Sequence, residues 1–488
     1  LYDPQSFRLE GHKLIDLLAD SLQLSLSGNG AARPSQSPDI AAAEWSDYLH
    51  SALNDNRAST SPSALFSRWI GQSIKGHHPQ TMGHQVGVSA PVSALADLLG
   101  SLLDTGNGIF EVGEPATAVE RAVVKDLTGR LNMGTNAGGF LTSGGTLGNL
   151  TALLAARQAA APFDAWQHGN DNARPLGVLV SDQAHYCIDR AARVMGWGEQ
   201  GVVRVHTDKE YRMRAPAMQA ALDQARADGI HVIAAVGNAC TTATGAFDPL
   251  EEIAVFCRNN SLWFHADAAH GGAVIFTPKH RHLLNGIENA DSIVIDFHKL
   301  MMTPSLTTAV LFNKEATSFG AFAQKADYLW RNQDPIDQAE GVLPWFDAAH
   351  RTMECTRPMA ALRVFALLAT HGDKVIGDSI NTVFASARDF AELIRTTSGF
   401  ELLTTPTANI VCYRLAPTEL TGPERDTLNT ATRSRLIADG DFYIVETKIA
   451  GRTWLRSAIM NPFTSMDHFR RLLDALLAIS VRSNPGNG

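Results

Sequence analysis

The sequence predicts an α/β protein built on a mostly parallel sheet with helices on both faces. Two observations carry this expectation. From about residue 91 to 380, short β-branched runs alternate with amphipathic helical stretches, and several runs end on polar residues for which a purely structural strand has no use. A chain of 488 residues is also too long for one small core, so two or three packed units are expected.

In chain order, residues 1–90 read as a helical arm. Leu14, Ile15, Leu17, Leu18 and Leu22 recur at helical spacing before a Gly/Ser/Pro-rich connector, SGNGAARPSQSP, at 27–38. Residues 91–380 form the large domain. Its strands are GVLVS (177–181), VVRV (202–205), HVIAAVG (231–237), LWFHADAA (262–269), SIVIDFH (292–298) and TTAVLF (307–312), with another strand-like segment leading into LTSGG at 141–145. Helices are expected between them, as at 216–229 and 249–260. Residues 381–488 read as a small α+β domain: a helix, the strand ANIVCYRL (408–415), a Pro/Gly loop at 415–425, the run RTWLRSAIM (452–460) and a last amphipathic helix.

Composition narrows the functional classes. At 45% hydrophobic and 19% charged, the chain reads as soluble and globular. A net charge of −9 without a long Lys/Arg block argues against nucleic acid as a partner. Cys187, Cys240, Cys257, Cys355 and Cys412 are scattered, odd in number and form no CxxC pair, so neither a disulfide framework nor a metal site is expected. No apolar run approaches the roughly 20 residues of a membrane span, and the first residues lack the apolar core of a signal peptide. A cytoplasmic protein is the expectation.

Four strand ends carry the candidate chemistry. In LTSGGTLGNLTALLAAR (141–157), Gly144, Gly145 and Thr146 lie where a strand meets a helix; they make either a plain glycine-rich cap or a cradle for a phosphate dianion. His185 follows GVLV in SDQAH, where an imidazole can lie flat over a bound ring. Asp267 sits within LWFHADAAHGG (262–272), and a buried carboxylate there needs a cationic partner: a protonated heterocyclic nitrogen, an Arg or a helix N-terminus. Lys299 ends SIVIDFHK; delivered into an apolar site, its amine becomes a nucleophile toward carbonyl compounds. Phosphate cradle, stacking ring, buried carboxylate and lysine together match the phosphate, aromatic face, pyridine nitrogen and aldehyde of pyridoxal 5′-phosphate.

These segments, with FRLEGHKLIDLLAD (7–20), HHPQTMGHQ (77–85), GAFDPLEEIA (245–254) and LRSAIMNPFTSMDHF (455–469), make the chain resemble the group II pyridoxal-phosphate-dependent amino-acid decarboxylases over nearly its whole length. The resemblance implies an aspartate-aminotransferase-like transferase fold with a seven-stranded sheet, and a homodimer with active sites at the interface. It implies that Lys299 holds the cofactor aldehyde as a Schiff base, that Asp267 pairs with the ring nitrogen and that His185 stacks on the ring. Gly145 and Thr146 then bind the phosphate, His298 lies beside the lysine, and Thr242 sits near the cofactor. Tyr328, in the polar segment 324–341, falls where relatives carry a proton-donating tyrosine on a loop from the neighbouring subunit.

The substrate is less defined. Aromatic-specific relatives are rich in Tyr and Phe where this chain has His78, Gln80, Thr81, Met82 and His84. Glu111 and Glu114, on an expected loop in FEVGEPATAVE (110–120), offer anions to a substrate amine, which tilts the reading from an aromatic amino acid toward L-2,4-diaminobutyrate. Arg357 in ECTRPMAALRVFALL (354–368) is a candidate carboxylate or interface partner. The alternatives to simple decarboxylation are an aldehyde synthase of the same family, an aminotransferase and a catalytically silent cofactor-binding homologue.

Overall fold

The computed structural model describes residues 2–34, 36–54, 61–322 and 345–483. The chain divides into two compact units: Gln85–Phe384 with Pro406–Ala408, and Leu1–His84 with Ala385–Thr405 and Asn409–Gly488.

The first unit holds the seven-stranded sheet. Its strands are β1 (Gly138–Thr142), β2 (Leu176–Ser181), β3 (Val202–Val205), β4 (His231–Asn238), β5 (Trp263–Asp267), β6 (Ser292–Asp296) and β7 (Thr308–Phe312), in the spatial order β1-β7-β6-β5-β4-β2-β3. β7 runs antiparallel to both neighbours, β1 and β6; the pairs from β6 across to β3 are parallel. The α/β expectation holds, and its reason is visible in the burial. β1, β2, β5, β6 and β7 are buried at every position, as strands covered on both faces must be. Ala152, Leu153, Ala155 and Ala156 of the helix Gly145–Ala160 pack into one core with Phe140, Val294, Val310 and Phe312. Small residues on that helix let it lie close to the sheet, and so bring its first turn to the strand ends.

Strand order reverses around β2 and β4, with β3 laid outward on one side and β5 and β6 on the other. Connections leaving the carboxyl ends there diverge, and a crevice opens between them. One segment departs from expectation. Residues 110–120 belong to a helix, Phe110–Arg130, broken at Gly113 (φ −123°, ψ 34°). Pro115 follows the break, where its missing N–H costs no hydrogen bond because a new helical turn is starting.

The second unit has a four-stranded antiparallel sheet in the order β10-β11-β9-β8, from β8 (Phe400–Leu402), β9 (Ile410–Leu415), β10 (Val445–Ile449) and β11 (Arg452–Ala458). Stacked Phe390 and Phe469, with ring centroids 4.4 Å apart, and the buried Tyr413 form part of its core. Its helices Pro4–Leu26, Pro38–Asn54 and Pro62–Gln72 each start on a proline, so the Gly/Ser/Pro-rich connector ends in a helix start. The Pro/Gly loop is likewise shorter than expected, because the helix Gly422–Asp439 begins inside it. Glu424 accepts hydrogen bonds from the backbone N–H and the hydroxyl of Thr421, both at 2.7 Å, and this reciprocal cap starts the helix. Thr421→Ala is expected to lower the melting temperature by about 2–4 °C while leaving catalysis intact, as read by calorimetry beside an activity assay.

Candidate active site

The carboxyl ends of β1, β2, β4, β5 and β6, with the amino end of β7, enclose a cavity of about 280 Å³. Gly145, Thr146, His185, Thr242, Asp267, His298 and Lys299, all singled out from the sequence, line it.

After β1 the chain turns through Gly144 at φ +106°, a conformation that side chains disfavour, and enters the helix Gly145–Ala160 with no side-chain cap. The first-turn N–H groups are therefore left for a ligand. A Cβ on Gly145 would lie 3.0 Å from Asp296 Oδ2, so only glycine brings backbone this close to the end of β6. Lys299 is the one cationic lysine or arginine of the cavity wall among the described residues. An anion bound there would rest on backbone N–H groups and the Thr146 hydroxyl, since the Ser143 hydroxyl donates to Glu354.

His185 caps the helix Tyr186–Val194, its Nδ1 accepting from the Cys187 N–H at 3.3 Å. The ring proton then belongs on Nε2. Burial, helped by Lys299 and opposed by Asp267, pushes the His185 pKa below its ordinary value, so the ring is neutral. Asp267 ends β5 and is 6% exposed. Its carboxylate accepts from the Ala269 N–H and from Asn149 Nδ2, each at 3.2 Å. Both partners are neutral: the anion is held in place, and its charge is left to act on whatever cation enters the cavity.

Lys299 Nζ lies 3.0 Å from Asp296 Oδ2, and His298 Nε2 lies 3.7 Å from the same oxygen. Thr308 Oγ1 donates to Asp296 Oδ1 at 2.5 Å. Burial works to lower the Lys299 pKa, but Asp296 and then Asp267 outweigh it, and the net shift is upward. Without cofactor, Lys299 is a paired ammonium.

Among the polar residues of this wall that sequence reasoning left out are Asp296, Asn149 and Asn238. Asp296 stands three residues before the lysine on the same strand end, and Asn149 lies one helical turn after Gly145. Asn238 ends β4 and donates to Asp248 Oδ2 at 2.6 Å and to Ser181 Oγ at 3.3 Å. Burial pushes the Asp248 carboxyl up to about 6 even though the backbone N–H groups of Met213 and Asn238 bond it.

Other candidates lie elsewhere. Arg357 is buried with its fork already occupied: it bonds Glu120 through Nη2 at 3.0 Å and donates to the carbonyls of Asn107 and Leu141. Buried and paired with Glu120, Arg357 does not line this cavity and serves as a structural ion pair. Glu111 and Glu114 are exposed and do not line this cavity, because they ride on a helix rather than on the expected loop. His78 belongs to the other unit, where it is buried with Nδ1 accepting from the Gln80 N–H at 3.2 Å. Tyr328 lies outside the described residues.

Residues 69–416 match the pyridoxal-dependent decarboxylase conserved domain. The chain belongs to the pyridoxal-dependent decarboxylase family. This decarboxylase is 32% identical to the L-2,4-diaminobutyrate decarboxylase of Rhizobium meliloti, over 82% of this chain and 77% of that protein. It is 29% identical to human cysteine sulfinic acid decarboxylase, over 73% of this chain and 71% of the relative. Among solved structures it resembles the glutamate decarboxylase domain of a diaminobutyrate-pyruvate transaminase and L-2,4-diaminobutyrate decarboxylase from Vibrio parahaemolyticus. That match has a TM-score of 0.82 at 25% identity and covers 97% of this chain and 96% of the other. The protein is thus a pyridoxal-phosphate-dependent amino-acid decarboxylase. The cavity fits that cofactor on its own terms: an uncapped helix start cleared by Gly145, a hydrogen-bonded carboxylate without a cation in contact and a single lysine share one wall.

Two outcomes follow. Gly87 donates to the His298 carbonyl at 3.0 Å, and a Cβ there would lie 2.2 Å from the Lys299 carbonyl oxygen. Since that neighbour is backbone, Gly87→Ala is expected to displace the lysine turn at a cost of about 1–3 kcal/mol, read as weaker cofactor binding by absorbance titration. The second outcome concerns pH. A raised lysine pKa stabilises the apoprotein fully below the ordinary lysine range, and that stabilisation fades as pH rises through the raised value. Asp296→Asn removes a raising influence and leaves burial's lowering one, so Lys299 should shed its proton at lower pH. Stopped-flow cofactor capture should be faster at neutral pH and climb less steeply toward alkaline pH than in the unaltered protein.

Proposed function

We propose that the enzyme decarboxylates L-2,4-diaminobutyrate to propane-1,3-diamine and carbon dioxide, working as a homodimer. The observation that carries this reading is the likeness, over four fifths of the chain, to a relative that acts on that substrate.

The site residues then have these roles. Bound pyridoxal 5′-phosphate supplies an aldehyde for the substrate amine and a ring that accepts the electron pair left when carbon dioxide departs. Lys299 holds that aldehyde between turnovers, and Asp296, 3.0 Å away, is placed to take the ammonium proton. Asp267 keeps an anion where the ring nitrogen must stay protonated, which is electrostatic stabilisation of developing charge. The neutral His185 covers one ring face. Gly145, Thr146 and the open helix start hold the phosphate, with His298 and Thr242 completing the wall. Tyr328 is the proposed donor of the proton that replaces the carboxylate at Cα.

A diamino acid also needs an anion for its second ammonium. Among the described residues of one chain the carboxylates of the cavity wall are Asp267 and Asp296, both assigned above to the cofactor end. Glu111 and Glu114 are exposed, beside Phe110 and Val112 at 39% and 52% exposure, and the helix Pro91–Leu103 exposes Leu95, Leu98, Leu99, Leu102 and Leu103. Apolar area of this kind, rimmed by charge, suits a second copy of the chain. We assign the glutamates to the partner's cavity.

Purified enzyme should release amine from 2,4-diaminobutyrate at least about tenfold more efficiently than from DOPA or cysteine sulfinate, a gap of about 1.4 kcal/mol in kcat/KM. Peroxide and aldehyde products would instead identify an aldehyde synthase. Glu114→Gln with Glu111→Gln should raise KM for the diamino acid. Mixed dimers of that double variant with the inactive Lys299→Ala should regain sites with the unaltered KM, which neither variant has alone. Failure of complementation would remove the glutamates from the partner's site.

A further inference from the structure

Asp267 is the last link of a buried hydrogen-bond chain. β5 carries Trp263, His265 and Asp267 at alternate positions, hence on one face of the sheet. Ser292 of β6 pairs in register with His265. The helix Gly145–Ala160 brings Asn149 into the chain. Trp263 Nε1 donates to Ser292 Oγ at 2.8 Å; Ser292 Oγ and His265 Nδ1 are 2.9 Å apart; His265 Nε2 and Asn149 Oδ1 are 2.7 Å apart; Asn149 Nδ2 donates to Asp267 Oδ2 at 3.2 Å. None of the five residues exceeds 8% exposure.

The chain has one consistent polarity. An indole N–H can only donate, so Ser292 Oγ accepts there; at the other end a carboxylate can only accept, so Asn149 turns Nδ2 to Asp267 and Oδ1 to His265, and the imidazole proton lies on Nε2. His265 is neutral: burial, opposed by Asp267, pushes its pKa down to about 4. An imidazole accepting at Nδ1 carries its proton on Nε2 and donates to the Asn149 carbonyl. The Asn149 amide group is thereby turned with both N–H bonds outward, one to Asp267 and one to Cys187 Sγ at 3.3 Å. The opposite polarity would set an amide oxygen against the Asp267 carboxylate. The carboxylate at the cavity end decides the direction, because it can only accept.

We propose that Ser292 and His265 are positioning residues for the decarboxylation: through Asn149 they hold Asp267 as an anion aimed at the cofactor's ring nitrogen. The inference rests on the role given to Asp267 above, and it extends the functional unit two residues beyond any that borders the cavity.

The test uses the full chain, with pyridoxal 5′-phosphate as the probe. Three quantities are measured for the unaltered protein, Ser292→Ala, Ser292→Thr and Asp267→Asn. They are the cofactor Kd of the apoprotein, the pH titration of the holoenzyme's visible absorption band without substrate, and the apoprotein melting temperature. Ser292→Ala should weaken cofactor binding by about five- to tenfold, the worth of one ordinary hydrogen bond, and should move the titration midpoint. Ser292→Thr, which keeps the hydroxyl, should restore both. Trp263→Phe removes the terminal N–H together with part of the ring and should act in the same direction, so it serves where Ser292→Ala fails to fold. A lowered melting temperature with unchanged Kd and midpoint in the Ser292→Ala or Trp263→Phe protein overturns the relay. If Asp267→Asn also leaves Kd and midpoint unchanged, the role of Asp267 falls with it; if that variant alone is impaired, only the relay fails.

Discussion

The site depends on one physical constraint: ionised groups sit at the ends of β5 and β6, in a sheet otherwise buried and apolar. Asp267, Asp296 and Lys299 are stranded in a low-dielectric setting where an uncompensated charge is prohibitively costly. Asp296 is compensated by Lys299 and Thr308, and Asp267 by neutral donors alone. The protein keeps one charge in reserve. A cofactor with a protonatable ring nitrogen and an aldehyde would meet both needs at once, with Asp267 as its counter-ion and Lys299 as its amine.

Rigid strands make this arrangement affordable. Each functional group is delivered by a strand end or the first turn of a helix, where backbone hydrogen bonding holds Cα in place and leaves only side-chain rotamers to be ordered. Gly87 and Gly145 have the complementary task of letting backbone approach closely where any Cβ would intrude on the lysine turn or on Asp296. At the start of the helix Gly145–Ala160 the cavity offers an anion amide dipoles and the Thr146 hydroxyl rather than cations, among the described residues. Lys299, the one lysine of the cavity wall among the described residues, is thus not needed as an anion's counter-ion there.

Much of this was legible in the linear chain. The strands containing HVIAAVG, LWFHADAA and SIVIDFH stand out because burial on both faces demands unbroken apolar runs, and polar residues at their ends are then conspicuous. Local signals that were overlooked, such as Thr421 with Glu424, were present but lay inside a segment dominated by Pro and Gly. Arg357 went astray for a different reason. Its guanidinium is indistinguishable in sequence from one facing a substrate, and only the position of Glu120, 237 residues away, shows that it is spoken for.

By itself, then, the sequence determined the α/β class, the strand-end lysine, aspartate, histidine and glycines, and through them the cofactor. These follow from local periodicity and from the cost of burying a charge, both of which are written in consecutive residues. Tertiary structure alone decided which polar groups meet: Asp296 with Lys299, Asn149 with Asp267, and His265 with Ser292 and Asn149. Hydrogen bonds between side chains of different elements depend on sheet order and on how closely a helix lies, and neither is encoded in any short stretch of the chain.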